Sequence, residues 1–381
     1  MYDVAIVGAG IVGLAHALIA ARAGKNVIVI DRDSRANGAS VRNFGFVTVT
    51  GQQYPECWRR ARRSAQIWDE VAKSAKIEVV HRGLMLAARQ PEAMGLLEAF
   101  VEHPMGADCS LMTPKAAQEQ VRPLRTDKLV GALWSPHERR VESRTALPQL
   151  VRWLTEAHGV VFRWSTAVLA VTPPAVETTA GTVEAETCIV CPGDDLVSLF
   201  AERLVGYGLT RCKLHMLRVA PGPGFKLGAG VMSDLSLVRY LGYAELPEAT
   251  ALKARLAREQ ADALINGVHL IVVQSADGTL VVGDSHHYDE TPDPFAPSAV
   301  DALILEELSE VLTISAPHVT ERWTGTYASA QDRLALIDRP DDATRLVTIT
   351  SGTGASTAFA IAEEVIGELF ESQATVREFV Q

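Results

Sequence analysis

The sequence predicts a mixed fold in which an α/β unit is joined to a second unit built on a large antiparallel β-sheet. First, a strand, a helix and a second strand follow one another within residues 3–30. Second, the stretch 268–283 is rich in β-branched residues, and Ser275 to Gly278 supply a hairpin turn inside it. Third, the chain ends in a strand, a glycine turn and a helix over residues 346–370.

Each element follows from its local pattern. Runs of apolar and β-branched residues fit a pleated, buried surface, and we expect β-structure at residues 3–7, 27–30, 79–88, 131–134, 160–171, 186–191, 212–220, 268–283 and 346–350. Apolar residues at helical spacing between start and stop signals indicate helices. We expect these at residues 11–23, 56–75, 114–121, 144–158, 298–314 and 355–370.

The composition limits the partners. Hydrophobic residues make up 48% of the 381 positions and charged residues 22%, so a large core is expected and disorder is not. A net charge of −10 argues against nucleic acid and anionic membranes, which need a basic surface. An anionic substrate would therefore need a local cationic pocket. The sequence has no leader pattern, no long apolar span and no disulfide framework, which predicts a cytoplasmic protein.

The first 31 residues carry a dinucleotide-binding pattern. Residues 8–13 read G-x-G-x-x-G between an apolar strand and a helix, and Asp31 ends the next strand 18 residues after Gly13. Gly8 permits the tight turn, Gly10 lets the backbone approach a pyrophosphate, and Gly13 lets the helix pack against the sheet. Asp31 can accept ribose hydroxyl groups, and the helix N-terminus attracts phosphate. This pattern predicts a Rossmann-like domain.

Three features favour FAD over NAD. The loop 37–46 can wrap round the ribityl chain and ring of a flavin. A short strand within residues 188–194 ends in Gly193. The segment 351–354 precedes the last helix, where backbone N–H groups and the helix dipole could stabilise charge on a reduced flavin. An NAD-linked dehydrogenase is the alternative enzyme class.

These landmarks resemble a family of amine-oxidising flavoproteins, the D-amino-acid oxidase, glycine oxidase and sarcosine oxidase (DAO) family. The likeness spans nearly the whole chain and is strongest at residues 1–47, 187–194 and 322–369. It implies an FAD-binding domain and a substrate domain with a large antiparallel sheet. It also implies hydride transfer from an amine carbon to flavin N5, hydrolysis of the imine, and reoxidation by oxygen or another electron acceptor.

The order of elements divides the chain into two discontinuous domains. Residues 1–76, 140–205 and 320–381 are assigned to the FAD-binding domain. Residues 77–139 and 206–319 are assigned to the substrate-binding domain. Ligand pockets form readily at such junctions, so we expect the site between the two domains.

Three positions depart from the family pattern. Gly325-Thr326-Tyr327 stands where sarcosine-oxidase-like members carry C-x-Y, so no covalent flavin bond can form there and FAD is expected to be non-covalent. Tyr327 also stands where amino-acid-oxidising members often place an arginine that binds the substrate carboxylate. Ser356 replaces a lysine of the sarcosine oxidases. An ordinary α-amino acid is therefore a doubtful substrate.

Three short stretches resemble a subgroup associated with aminophosphonate breakdown. They are residues 42–47 with Gly51-Gln52, residues 211–216 and residues 283–288. The resemblance implies oxidation of 2-aminoethylphosphonate or its N-methyl derivative to phosphonoacetaldehyde. Glycine, sarcosine or a D-amino acid is the alternative substrate, and a non-catalytic FAD-binding protein is the alternative of another class.

A phosphonate carries up to two negative charges and needs cationic donors nearby. The candidates for the substrate site are Arg42, Lys213, His286, His287, Tyr288 and Tyr327, with Arg322 as a further cation. Adjacent strand residues face opposite sides, so at most one of the two histidines is expected in the pocket. Asp284 is interpreted as a turn residue. No protein base is assigned, because desolvation alone can keep an amine neutral.

The expected cofactor contacts come from the glycine turn, the loop after it and the C-terminal turn, with Val168 implied by the resemblance to lie beside the adenine. The full set is Gly8, Gly10, Ile11, Val12, Gly13, Asp31, Arg32, Gly38, Ala39, Ser40, Arg42, Asn43, Val168, Gly193, Gly352, Thr353, Gly354 and Ser356. Cys188 and Cys191 have C-x-x-C spacing, but strand alternation separates their side chains, so we interpret them as buried thiols. No metal site is expected, since the histidines and cysteines lack ligand spacing.

Overall fold

The structure, a computed structural model, describes residues 1–378, with side-chain surroundings as far as residue 370. In chain order the strands are β1 (Tyr2–Val7), β2 (Val27–Ile30), β3 (Phe46–Val47), β4 (Val79–Ala88), β5 (Ser110–Met112), β6 (Gly131–Val141), β7 (Val161–Arg163), β8 (Val168–Thr172), β9 (Ala175–Thr178), β10 (Gly181–Val190), β11 (Thr210–Ala220), β12 (Gly230–Met232), β13 (Ile271–Gln274), β14 (Leu280–Gly283), β15 (His287–Asp289), β16 (His318–Ser329), β17 (Ala335–Asp338) and β18 (Thr344–Ile349).

The helices alternate with these strands. They are α1 (Ile11–Arg22), α2 (Glu56–Ser74), α3 (Pro91–Glu102), α4 (Pro114–Gln120), α5 (Ser143–His158), α6 (Ala201–Val205), α7 (Leu241–Ala244), α8 (Ala249–Glu259), α9 (Ala261–Ile265), α10 (Ser298–Val311) and α11 (Gly354–Glu378). None of the helices within residues 1–378 combines the length and the hydropathy needed to cross a bilayer.

The first sheet is largely parallel and carries the nucleotide-binding pattern. Its order is β17-β18-β10-β1-β2-β7, with the β8–β9 hairpin attached to β10. Strand β1 pairs in parallel with both β10 and β2, as βαβ connections require. One core cluster joins the sheet to helices α1, α2, α5 and α11, and a second cluster lies on the hairpin side. Burial on both faces explains why β1 and β2 read as continuous apolar runs.

The second sheet has ten strands and is almost entirely antiparallel. Its order is β15-β11-β14-β13-β12-β4-β6-β3, with β16 paired to β11 and β5 paired to β6. Only the contact between β12 and β4 is parallel within the described residues. The two sheets together confirm the predicted class, an α/β part combined with a large antiparallel sheet.

Strand pairing crosses the expected domain boundaries. Strand β16 pairs with β11 along its length, so the boundary at residue 320 falls inside a strand of the second sheet. Strand β3 also belongs to that sheet, because it pairs with β6, although residues 1–76 were assigned to the FAD-binding domain. Strand β6 itself continues to Val141, past residue 139. Pairing between segments distant in the chain decides these memberships, and local pattern does not report it.

Several elements differ from the sequence-based expectations. Helix α3 was not predicted, yet Pro91 starts it and Leu96, Leu97 and Phe100 are fully buried on one face. The expected β-run 160–171 is broken between β7 and β8, where Ser165 takes a positive φ of 51°. Short amphipathic helices and single left-handed residues leave weak signals in a sequence, and tertiary packing decides them.

The two cysteines of the C-x-x-C spacing are buried thiols, as predicted. Cys188 belongs to the hairpin-side cluster and Cys191 to the helix-side cluster, so the side chains occupy opposite faces of the first sheet. Both thiols are free, and burial raises the pKa of each well above its ordinary value. Neither thiol can therefore act as a low-pKa nucleophile.

Candidate functional site

A cavity of about 420 Å³ lies between the two sheets, beside the carboxyl ends of β1, β10 and β18. That edge of an α/β sheet is where nucleotides bind. The wall combines the N-terminal glycine turn, the loop 39–53, the segment 325–334 and the turn 350–356. Side chains of the second sheet close the other side.

The glycine turn is packed too closely to accept side chains. A Cβ on Gly13 would lie 1.9 Å from the carbonyl oxygen of Gly8, and Gly8 has a positive φ of 101° that favours glycine. A Cβ on Gly10 would lie 3.0 Å from Ser40 Oγ, which accepts the N–H of Ile11 at 2.9 Å. The start of α1 therefore stays open to the cavity.

Asp31 shapes this turn through its backbone contacts. Its carboxylate accepts the N–H of Ala9 at 2.6 Å and the N–H of Asp33 at 2.9 Å. Arg32 forms an exposed ion pair with Asp195 at 2.5 Å. The predicted cofactor residues that lie outside the lining of the cavity are Gly8, Asp31, Arg32, Gly38 and Val168.

The loop after the second strand brings four predicted residues to the cavity, namely Ala39, Ser40, Arg42 and Asn43. Asn43 stabilises the loop, because its amide donates to the carbonyl of Ala39 at 2.7 Å and accepts the N–H of Gly45 at 2.6 Å. Arg42 forms no ion pair within residues 1–370, and its carbonyl accepts the indole N–H of Trp323 at 3.1 Å. The guanidinium of Arg42 is available for a ligand.

The C-terminal turn closes the cofactor side of the cavity. Gly352 has a positive φ of 72°, and a Cβ there would lie 3.2 Å from the ring of Tyr327. Gly354 begins α11, and Ser356 Oγ accepts the N–H of Thr48 at 2.9 Å. Gly193, Gly352 and Gly354 line one cavity with the residues at the start of α1 and add no side chains to it, so the residues present fit a bound dinucleotide.

Four of the six substrate candidates line the same cavity: Arg42, His286, Tyr288 and Tyr327. Burial raises the pKa of both tyrosines, so their hydroxyl groups are neutral donors at neutral pH. The predicted alternation is confirmed, because His286 faces this cavity and His287 does not.

The other two candidates lie elsewhere. Lys213 and His287 line a separate cavity of about 350 Å³. The ammonium group of Lys213 donates to the carbonyls of Asp293 and Phe295 at 2.6 and 2.7 Å. Arg322, the further cation, pairs with Asp301 at 2.9 Å and does not line the cofactor cavity. Residues 213 and 287 are register partners on β11 and β15, and their side chains share the other face of the sheet.

Arg239 was missed by the sequence analysis and lines the cofactor cavity. Its guanidinium donates to Tyr288 Oη at 2.6 Å and lies over the ring of that tyrosine. Burial opposes its charge, but Tyr327, Tyr288 and Asp284 outweigh burial and raise the pKa of Arg239 above its ordinary value. Arg239 directly precedes a short loop and the four-residue helix α7, and no local pattern distinguishes it from a surface arginine.

Three further side chains form what we call the His–Asp–His cluster, which consists of His269, Asp284 and His286. Asp284 was interpreted as a turn residue; that interpretation is wrong, because the residue is 4% exposed and its Oδ1 lies 3.0 Å from His269 Nε2. Asp284 and His269 also exchange backbone hydrogen bonds of 2.9 and 3.2 Å. The hairpin pairs Ile271 with Gly283, so a one-residue shift beyond that pair brings residues 269 and 284 together, and no local pattern indicates this shift.

The charges in this cluster follow from burial and mutual contact. Burial alone raises the pKa of Asp284, but His286, His269 and Arg239 outweigh burial and hold it below its ordinary value. Burial lowers the pKa of His286 to about 3. The cluster therefore presents one carboxylate and at least one neutral imidazole to the cavity at neutral pH.

Comparison with known proteins is consistent with this architecture. The profile of the DAO family, described as FAD dependent oxidoreductase, matches residues 3–367. A search of curated proteins gives no match. Among solved structures, glycine oxidase from Bacillus cereus has a TM-score of 0.78 at 15% identity, covering 98% of this chain and 96% of that one.

Two further structures are similar over nearly the same length. L-proline dehydrogenase from P. horikoshii has a TM-score of 0.78 at 17% identity and covers 97% of this chain and 93% of its own. Glycine oxidase from Geobacillus kaustophilus has a TM-score of 0.76 at 19% identity, with coverages of 97% and 95%. Similarity at these identities demonstrates a shared fold.

Proposed function

Because the chain belongs to the DAO family of FAD-dependent oxidoreductases, we propose that it oxidises a small amine that also carries an anionic group. Bound FAD would supply the two-electron oxidation. The chain itself would hold the cofactor at the glycine turn, the loop 39–43 and the turn 352–356. The residues opposite would bind and orient the amine.

The observation that carries the proposal is the pair of arginines in the cofactor cavity. Arg42 has no carboxylate partner within residues 1–370, and Arg239 bonds to the hydroxyl of Tyr288. Guanidinium groups bind carboxylate and phosphonate oxygens through short, charge-assisted hydrogen bonds. On a chain of net charge −10, two such groups lining one cavity supply the local positive charge that an anionic substrate needs.

Within this class we propose 2-aminoethylphosphonate or its N-methyl derivative, with phosphonoacetaldehyde as the product. Two arginines and the hydroxyls of Tyr288 and Tyr327 offer enough donors for a dianion. Tyr327 in place of the family's arginine argues for a different anion position from that of the amino-acid oxidases. FAD is proposed to be held non-covalently, since Gly325 offers no side chain for attachment.

Glycine, sarcosine or a D-amino acid is the second candidate. A carboxylate also pairs well with arginine, and two glycine oxidases are among the structures that share this fold. The two candidates differ in the anion that the arginines would bind, so a substrate panel separates them.

The test is anaerobic reduction of the bound flavin by a panel of amines. N-methyl-aminoethylphosphonate, aminoethylphosphonate, sarcosine, glycine and D-alanine are mixed in turn with the purified holoprotein, and bleaching of the flavin is followed by absorbance. We expect an aminophosphonate to react fastest. Faster reduction by glycine or D-alanine would overturn the phosphonate assignment and leave amine oxidation intact.

Two results would overturn amine oxidation itself. If no amine bleaches the flavin, the chain is a non-catalytic FAD-binding protein. If turnover requires a nicotinamide and the protein holds no flavin, it is a dehydrogenase of the alternative class. Precipitation with acid should release the yellow chromophore into the supernatant, whereas a flavin that stays in the pellet would contradict non-covalent binding.

A further inference from the structure

The His–Asp–His cluster places one carboxylate and two imidazole rings around one point in the wall of the cofactor cavity. His269 Nε2 lies 3.0 Å from Asp284 Oδ1, and His286 Nε2 lies 3.7 Å from Asp284 Oδ2. The three residues are 3%, 4% and 8% exposed. One ligand atom from each lies within 4.8 Å of the others. The cluster can therefore surround a small ligand that enters from the cavity.

A hydrogen bond on the far side of the ring determines the tautomer of His286. Its Nδ1 lies 2.9 Å from the carbonyl oxygen of Gly267. A carbonyl can only accept, so Nδ1 carries the hydrogen. Because burial keeps this imidazole neutral at neutral pH, Nε2 is a bare lone pair directed toward Asp284.

His269 is positioned by a hydroxyl group on the far side of its ring. Ser236 Oγ lies 3.1 Å from His269 Nδ1 and 3.3 Å from the carbonyl oxygen of Leu270. This contact holds Nε2 of His269 beside Oδ1 of Asp284, at 3.0 Å.

The cluster thus presents one negative charge and the bare Nε2 of His286 to the cavity. Asp284 Oδ1 is a buried oxygen without a hydrogen-bond partner among the described residues. An unsatisfied buried acceptor costs about 1–3 kcal/mol, and more when it is charged. A small cation that carries hydrogens would satisfy this oxygen and His286 Nε2 together.

The neighbouring charges favour an organic ammonium over a metal ion. Arg239 lines the same cavity and raises its positive potential at Asp284, which opposes a divalent ion more strongly than a monovalent one. A primary ammonium group has three N–H donors, which can serve the carboxylate of Asp284 and Nε2 of His286. A substrate with an ammonium and an anion would pair the first with Asp284 and the second with Arg42 and Arg239.

We infer that Asp284 and His286 bind the ammonium group of the substrate, and that His269 positions the carboxylate of Asp284. The inference rests on the proposed function. Asp284 supplies the negative charge, and His286 Nε2 supplies a second acceptor. His269 Nε2 lies 3.0 Å from Asp284 Oδ1 and fixes the position of that carboxylate.

Binding of two inert ligands tests the ammonium site without turnover. The first is 2-amino-2-methylpropylphosphonate, whose amine-bearing carbon has no hydrogen to transfer. The second is 2,2-dimethylpropylphosphonate, which has the same shape and no amine. Binding is measured by the change in flavin absorbance. If glycine is the best substrate of the panel, 2-aminoisobutyrate and pivalate replace this pair.

We expect Asp284→Asn to weaken binding of the amine ligand at least 10-fold and to leave binding of the amine-free ligand within 2-fold. His269→Gln serves as the second variant if Asp284→Asn fails to fold with flavin. His287→Gln is the matched control, because the ring of His287 faces the other cavity. This variant should change the binding of neither ligand.

Two outcomes would overturn the inference. If Asp284→Asn weakened the binding of both ligands equally, the cluster would not recognise the amine. A stoichiometric divalent metal in the purified holoprotein, lost in His269→Gln, would make the cluster a metal site. Either result leaves the proposed function standing if amines still reduce the flavin of the unaltered protein, and failure of that reduction is a failure of the proposed function itself.

Discussion

At the scale of single residues, the cavity depends on glycines, which have no Cβ atom, and on charged side chains. The glycines at positions 8, 10 and 13 keep the start of α1 free of side chains, and each position would bring a Cβ within 3.0 Å of another atom. Arg42 and Arg239 provide positive charge in the cavity, and Asp284 provides one negative charge there. Three separate residue types thus set what can bind.

Replacement of Gly13 by alanine should abolish flavin binding. The new Cβ would lie 1.9 Å from the carbonyl oxygen of Gly8, which is backbone and cannot turn away. We expect a loss of about 3 kcal/mol of folding stability, at the upper end of overpacking effects, and a colourless protein. Gly95→Ala is the control, since a Cβ there meets nothing within 4 Å and should leave the flavin in place. Yellow Gly13→Ala protein of normal stability would contradict this account.

Replacement of Arg239 by methionine should weaken binding of the substrate anion. A charge-assisted hydrogen bond contributes about 1.5–3 kcal/mol, so KM should rise about 10- to 100-fold while kcat falls less. Steady-state kinetics with the best substrate of the panel measure both constants. Arg322→Met is the control, because Arg322 pairs with Asp301 outside the cavity. An unchanged KM in Arg239→Met would exclude a role in anion binding.

At the scale of elements, strand alternation and helix position determine which side chains face the cofactor cavity and which are buried in the core. Strand β15 begins at His287, so the residue before it faces the cofactor cavity and His287 faces the other one. Helix α1 starts at the glycine turn and continues into the core, where His16 is fully buried. The Nδ1 of His16 lies 2.7 Å from the carbonyl of Val12 one turn earlier. The helix that opens toward the nucleotide therefore holds a titratable group in its apolar face.

His16 should make the stability of the protein depend on pH. Burial lowers its pKa from 6.5 to about 4 in the folded state. A depressed folded pKa means that the contribution to stability is full above pH 6.5 and is lost as the pH falls toward 4. Between pH 7 and pH 5 the loss from this residue is about 2 kcal/mol. Urea unfolding at both pH values should show a smaller loss for His16→Gln than for the parent.

The exposed residue His318 supplies the comparison for this measurement. His318→Gln should retain the full pH dependence of the parent. If His16→Gln and His318→Gln lose stability equally on acidification, protonation of His16 does not limit stability in this range.

At the scale of the whole molecule, the site exists only where the two sheets meet. Residues from the start, the middle and the end of the chain line one cavity, and β16 belongs to the second sheet while the turn that follows β18 belongs to the first. A ligand at this junction contacts both sheets. Its binding should therefore stabilise the fold as a unit rather than one half alone.

Removal of FAD should lower the melting temperature of the entire protein in one transition. At a free FAD concentration 100 times the Kd, the bound form gains about 2.7 kcal/mol. Added FAD should restore the original Tm, whereas AMP, which lacks the flavin half, should restore little. Thermal unfolding followed by circular dichroism measures this. Two separate transitions, with only one sensitive to FAD, would contradict coupling of the sheets through the cofactor.

The sequence by itself determined the glycine turn, its strand and helix, and the fold class. These features are local, because a G-x-G-x-x-G turn, a hairpin and an apolar strand impose their structure over a few residues. The sequence also determined that the side chains of His286 and His287 would lie on opposite faces, since adjacent strand residues point in opposite directions. Only the tertiary structure decided which of the two faces the cofactor cavity.

The tertiary structure alone also brought Arg239 to the cavity, moved Lys213 away from it and buried Asp284 between two histidines. These outcomes depend on pairings between segments far apart in the chain, such as β11 with β16 and residue 269 with residue 284. Local propensity carries no information about such pairings, because a strand's partner is chosen by packing across the whole sheet. The chemistry of the glycine turn could therefore be predicted from the sequence, whereas the chemistry of the opposite wall could not.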